Sequence, residues 1–265
     1  ISSLSPSYGV PSGGTNVTVT GAGFDDFTHY RTPITVSNPT SSAITNSAVN
    51  ISLPAYNETG LIASWNLEEN VTNSSAPSPD FHDSSGNGWD AICVVECPIA
   101  AVGVLGNGQY FNDGSVGNAT HGIYTSLNLS GETEITLSLW INPASLSGGG
   151  GLVTSIYQSD SQFGLGYDDV ASIEIYNFTF EDVSGGIQHV YCNAAVCSPV
   201  TNEWHHIAVS LSANNVDWYY DGILVESDTV SFSELEPSNQ NLRMGGRLDA
   251  DVNQYYQGSI DEVKI

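Results

Sequence analysis

Residues 202–225 read NEWHHIAVSLSANNVDWYYDGILV. Apolar side chains alternate at Ile207, Val209 and Leu211 and again at Val216, Trp218 and Tyr220, which is the two-residue period of strands with one buried face. Asp221-Gly222 follows directly. That pair tolerates positive φ at both central positions of a tight hairpin turn, and Ile223 to Val225 opens a third strand. The stretch predicts a three-stranded antiparallel meander.

Working outward, strand and turn signals alternate at short intervals from residue 109 to the end, and no apolar stripe of 3.6-residue period persists for three turns. Helix is therefore expected to be scarce. Gly148 to Gly151 separates the strand candidates Trp140-Ile141 and Leu152-Val153 and is read as a hairpin loop. Upstream, residues 61–67 read as the first strand of a large sandwich. Residues 70–88, rich in Asn, Ser, Pro and Gly, read as a long ordered loop.

Several ordered blocks carry a resemblance. Trp204-His205-His206-Ile207-Ala208-Val209 with Trp218-Tyr219-Tyr220-Asp221-Gly222 is similar to the central signature of laminin-G-like, concanavalin A-type jelly rolls. Leu61-Ile62-Ala63-Ser64-Trp65, Asp83-Ser84-Ser85-Gly86-Asn87-Gly88, Gly108-Gln109-Tyr110-Phe111-Asn112-Asp113-Gly114, Ile135-Thr136-Leu137-Ser138-Leu139-Trp140-Ile141, Leu242-Arg243-Met244-Gly245 and Gly258-Ser259-Ile260-Asp261-Glu262-Val263 stand in the order that resemblance implies. Near the start, Ser5-Pro6, Gly13-Gly14-Thr15, Val17-Thr18-Val19-Thr20 and Gly21-Ala22-Gly23-Phe24 resemble the opening of an immunoglobulin-like TIG module. The expected organisation is all-β: a short or divergent TIG-type module at 1–59, then an antiparallel jelly-roll sandwich at 60–265. Ile34, Val36, Val49, Ile51 and Leu53 supply further strands of the first module. Such sandwiches serve many unrelated roles, so the fold does not name the function.

Charge narrows the partners. The net charge of −25 arises from 29 acidic residues against four cations, Arg31, Arg243, Arg247 and Lys264. Nucleic acid and anionic membrane surfaces are bound through clustered Lys and Arg, so neither is an expected partner. No apolar run approaches the ~20 residues that span a bilayer. The first residues are not a signal peptide, and the chain is read as a fragment of a larger secreted or cell-surface protein with modules on either side.

Four cysteines form two close pairs, Cys93 with Cys97 and Cys192 with Cys197. In an extracellular protein the simplest expectation is two local disulfides, although four cysteines allow three pairings and the spacing also approaches that of a zinc site. Asn-x-Ser/Thr sequons begin at Asn16, Asn50, Asn57, Asn70, Asn73, Asn118, Asn128 and Asn177. This modest excess over chance points to N-linked glycans. Asn177, inside the strand-like IEIYNFTF, requires an outward face with room for a sugar.

The sandwich resemblance also implies a calcium ion held by loop oxygens, for which Asp83, Asn87, Asp113 and Asp261 are the matching positions. The competing reading makes Asp83 and Asp113 turn caps and Asp261 an acceptor of backbone hydrogen bonds. No catalytic set is expected. Glu132-Thr133-Glu134 and Ile173-Glu174-Ile175 do not form the alternating carboxylate run of jelly-roll glycosidases, and Asp261-Glu262 are adjacent and so face opposite ways. His205-His206 likewise cannot both aim at one ion from a single strand face. Tyr167, Tyr176, Tyr191, Tyr219, Tyr255 and Tyr256 are assigned to core and inter-module packing before glycan stacking. The resulting expectation is a non-enzymatic structural or adhesive glycoprotein module that joins other modules or copies of itself into a wall, fibre or appendage. A calcium-dependent carbohydrate-binding module is the alternative.

Overall fold

The computed structural model describes residues 3–5, 18–20, 60–71, 80–93, 97–111, 122–146, 150–157, 160–170, 173–184, 186–238, 240–246 and 256–265. Two compact units divide the chain, Ile1–Thr59 and Gly60–Ile265. In the first, β1 (Ser3–Ser5) pairs antiparallel with β2 (Thr18–Thr20), with Leu4 opposite Val19. The strands expected around Ile34, Val36, Val49, Ile51 and Leu53 lie outside the described residues.

The second unit begins with short strands, β3 (Ser64–Trp65), β4 (Ile92–Cys93), β5 (Ile99–Val102), β6 (Asn107–Phe111) and β7 (Ile123–Thr125). Longer ones follow in β8 (Ile135–Ser145), β9 (Gly150–Tyr157), β10 (Asp160–Val170), β11 (Ile173–Glu181) and β12 (Ile187–Tyr191). After a single 3₁₀ turn at Ala195–Cys197 come β13 (His205–Leu211), β14 (Asn215–Tyr220), β15 (Ile223–Thr229), β16 (Leu242–Met244) and β17 (Gln257–Lys264). They form two antiparallel sheets. One runs β12-β11-β10-β9-β16-β7-β4, the other β15-β14-β13-β8-β17-β6-β5 with β3 also on β17.

The predicted meander is β13, β14 and β15, paired through Ile207↔Tyr220 and Tyr220↔Ile223. Asp221 (φ +49°) and Gly222 (φ +77°) make the turn, and positive φ at both positions matches the twist of the flanking strands. The inward faces of β13 and β14 are buried, whereas β15 at the sheet edge holds no buried residue. Ile207, Val209, Leu211, Val216 and Trp218 from the meander, with Leu137, Leu139 and Ile141 of β8, meet Phe163, Leu165, Phe178 and Phe180 of the other sheet in one core. Each such side chain contributes about 1.5–3 kcal/mol through burial.

Two local expectations are corrected. β8 and β9 belong to different sheets, so the Gly-rich stretch between them connects layers and is not a hairpin loop. Turn chemistry marks a reversal but does not say whether the next strand pairs with the last. Only Ser64–Trp65 of residues 61–67 forms a strand. Leu67 has φ +57°, a left-handed conformation that breaks extended pairing, although Ala63, Trp65 and Leu67 are all buried.

Candidate functional site

The histidine pair resolves into two different environments. His205 stacks on Tyr220 with ring centroids 4.8 Å apart, and its Nδ1 lies 3.0 Å from Asp221 Oδ2. His206 points to the outward face, its ring 5.4 Å from that of Trp140. Burial holds its pKa down to about 4, against an opposing pull from Asp221. Both rings are structural, joining the meander to its turn and to β8.

The acidic loop residues act chiefly on backbone. Asp83 Oδ1 accepts from the N–H groups of Ser64 (2.9 Å) and Ser85 (2.9 Å), and Oδ2 from Ser85 Oγ and Trp89 N–H. Burial works to raise its pKa, but these donors outweigh it and leave the carboxyl below its ordinary value. Asn87 Nδ2 donates to the carbonyls of Leu61 and Ile62. Asp261, fully buried, accepts from Val104 (2.8 Å) and Leu105 (3.2 Å) at Oδ2 and from Glu262 N–H at Oδ1. Burial lifts its pKa to about 7.

These contacts decide the fit of a calcium ion. Asp83 and Asn87 fasten the loop at 83–89 to residues 61–64, while Asp261 fastens a different loop. The carboxylate oxygens of Asp83 and Asp261 face N–H donors at two different loops, and Asn87 uses its Nδ2 on the carbonyls of Leu61 and Ile62, so the structure does not bring Asp83 and Asp261 together as one cation cage. Asp113 lies outside the described residues. Among the described residues one group of three potential ligands converges, Asp80 with Cys93 and Cys97, but both sulfurs are bonded to each other. Disulfides join Cys93–Cys97 and Cys192–Cys197, which removes the zinc alternative.

Three further carboxylates act in the same way, and nothing in the local sequence marked them. Asp182 accepts from Ser184 and Ser233 N–H, and its pKa is lowered by the Ser184 and Ser233 donors against the cost of burial. Glu226 accepts from Ala194 N–H in the second disulfide loop. Glu68 accepts from Asn107 N–H. Together Glu68 and Asp261 fix the turn between β5 and β6, where Gly103 N–H also donates to the Gly106 carbonyl (3.1 Å). Around this turn Ile99, Val102, Val104 and Leu105 are exposed, Val102 at 84%.

On the seven-stranded sheet the core takes Tyr176, Phe178 and Phe180, so Asn177 and Thr179 face outward. Register places Thr179 between His189 and Gly164, and Asn177 between Tyr191 and Gly166. Thr179 Oγ1 lies 2.9 Å from His189 Nδ1.

With two antiparallel sheets around one core on the page, residues 114–265, more than half of the chain, match the profile of the concanavalin A-like lectin/glucanases superfamily. The chain belongs to this superfamily. Residues 1–82 match the IPT/TIG domain, a match that runs past Thr59 through β3 to His82. The superfamily sandwich is similar to the binding domain of Paraclostridial Mosquitocidal Protein 1 (16% identity, TM-score 0.59) and to the receptor binding domain of botulinum neurotoxin D (15%, 0.51). The alignments cover 78% of this chain and 49% of each of those chains. The chain thus spans about half their length. Domain 4 of AbnA, a GH43 extracellular arabinanase from Geobacillus stearothermophilus in complex with arabinotriose, aligns at 18% identity and TM-score 0.50 over 77% of this chain and 90% of that one. At these identities the likeness shows the fold. A comparison with curated proteins finds no match.

Within the concanavalin A-like sandwich, Tyr167, Tyr176 and Tyr256 are core residues, Tyr191 and Tyr219 are half-buried, and Tyr255 is outside the described residues. Of the sequons, Asn70 is exposed. Asn128 is exposed but engaged, its Oδ1 accepting from Ser130 N–H and Gln162 Nε2 and its Nδ2 donating to the Ser238 carbonyl. Asn177 meets the condition of an outward face and is 9% exposed. Asn16, Asn50, Asn57, Asn73 and Asn118 lie outside the described residues.

Proposed function

We propose that this chain is a non-catalytic part of an extracellular protein, with a structural or adhesive role in holding neighbouring modules or further copies together. The observation that carries this reading is how the side chains are distributed. Carboxylates such as Asp83, Asp182 and Asp261 are turned onto backbone amides, whereas aliphatic side chains at residues 99–105 are left in water on a fixed turn. Exposed contiguous apolar surface marks interaction sites. A carboxylate bound to two or three N–H groups is poorly placed to shuttle protons to a substrate.

The two disulfides and the superfamily fold fit an extracellular setting, and no helix among the described residues is long and apolar enough to cross a membrane. Similar folds whose names describe receptor-binding and binding domains support a recognition role. The test is capture: the purified chain, immobilised, is exposed to the other modules of its parent protein and to itself. Saturable binding to either is expected. A chain that binds neither, and remains monomeric up to high concentration, overturns the reading.

One arrangement favours a carbohydrate-binding reading as the second choice. His189, Tyr191, Asn177 and Thr179 form an outward polar and aromatic group beside Gly164 and Gly166, and the arabinanase domain of similar fold holds arabinotriose. Reproducible binding to one sugar class on a glycan array, abolished by Tyr191→Ala and His189→Ala, would select it.

A further inference from the structure

The strand β5 and its turn stand apart from the rest of this acidic surface. Eleven large apolar side chains are exposed among the described residues, and four of them, Ile99, Val102, Val104 and Leu105, fall within residues 99–105. Residues 97–111 contain no Asp, Glu, Lys, Arg or His in a chain of net charge −25. Among the described residues β5 is also the last strand of its sheet, bonded to β6 alone, so one side of its backbone offers N–H and C=O groups to an added strand.

Natural edge strands are usually blunted by charge, proline or a bulge. β15, at the opposite edge, follows that pattern. It carries Glu226 and Asp228 and is bulged against β14 at Trp218/Tyr219. β5 reads IAAV and pairs with β6 in unbroken register, Ile99↔Tyr110 to Val102↔Asn107. Its turn is also pinned from beneath, by Asp261 on Val104 and Leu105 and by Glu68 on Asn107. A strand held in its pairing conformation loses little entropy on docking.

We infer that β5 is a homotypic docking edge, on which β5 of a second copy adds antiparallel about a two-fold axis perpendicular to the sheet, making one sheet continuous across two chains. This rests on the assembly reading above and names its partner. Charge selects the occupant. Copies bearing −25 each repel, and β5 on β5 brings no carboxylate of either strand into the contact, whereas β15 on β15 would oppose Glu226 and Asp228 to their own equivalents and β5 on β15 would set those two carboxylates against an apolar edge that offers no cation. Geometry agrees. A two-fold of this kind gives an antiparallel, self-complementary contact that closes as a dimer, with the small side chains of Ala100 and Ala101 at its centre.

Analytical ultracentrifugation of the intact chain at near-physiological salt tests this. Wild type is expected to sediment as a monomer–dimer equilibrium. Ile99→Lys/Val102→Lys is expected to weaken it at least about tenfold by setting like charges together, while Ile223→Lys, on the exposed opposite edge, leaves it unchanged. Circular dichroism and the melting midpoint show that the variants remain folded. As a gain-of-contact variant, Ala100→Cys or Ala101→Cys should yield an interchain disulfide on mild oxidation. Dimers that survive I99K/V102K, or are lost in I223K, overturn the docking edge. A monomer at all concentrations that still captures other modules of its parent overturns the edge but leaves the assembly reading standing. A monomer that captures nothing overturns both.

Discussion

Asp261 and His206 flank Trp140 on one row of the outward face, through Asp261↔Trp140 and His206↔Trp140, and they respond to pH in opposite senses. Asp261 has its folded pKa raised to about 7, so the folded state holds a proton that the unfolded chain releases. Its contribution is full at low pH and is lost as pH rises from about 4 to about 7. His206 is lowered to about 4, so its contribution grows as pH rises from about 4 to about 6.5. The two oppose each other in wild type. Asp261→Asn should therefore steepen the rise of melting temperature between pH 4 and 6.5, and His206→Gln should expose a fall toward pH 7, each on the order of 1–3 kcal/mol. Parallel profiles for wild type and both variants would count against these environments. The sequence could show that adjacent histidines face opposite ways. It could not show how deeply either is buried.

At the scale of single elements, turns carry the strictest requirements. Gly245 has φ +86°, and a Cβ there would run into the ring of Phe111. Gly245→Ala should cost about 1–3 kcal/mol, read as a lowered midpoint in urea. At the meander turn Gly222 (φ +77°) has open space around it, so Gly222→Ala should cost only about 1 kcal/mol. Equal losses in the two variants would show that backbone conformation, not contact with Phe111, sets the penalty. The meander was legible because its period, its turn pair and its burial all agree. The β8–β9 connection was not, because local turn signals carry no information on which layer the next strand joins.

For the whole molecule, the clamping of Asp83 and Asp261 by backbone amides predicts that excess chelator leaves the melting midpoint of the folded chain unchanged. A drop of several degrees, reversed by calcium, would mean that Asp113 or other loop oxygens build a site without them. Reducing both disulfides should cost less than the 2–5 kcal/mol typical of small secreted domains, since each closes a loop of only four or five residues onto a sandwich with its own large core. That difference is measurable as the shift in midpoint between oxidised and reduced protein.

Sequence alone determined the antiparallel meander, since alternation at 207–220 and the Asp221-Gly222 turn are local facts, and the sandwich around it was what the ordered blocks resembling laminin-G-like domains implied. It also determined the absence of any cationic surface, because four cations cannot make one. What the candidate residues do was decided by the tertiary structure. Asp261 meets Val104 and Leu105 from more than 150 positions away in the chain, and that contact makes it a clamp for an apolar turn. The same holds for β5. Nothing in its four residues marks an edge until the sheet order, among the described residues, leaves one side of the strand open, because which backbone groups go unsatisfied depends on what pairs with what, a property of the assembled sheet.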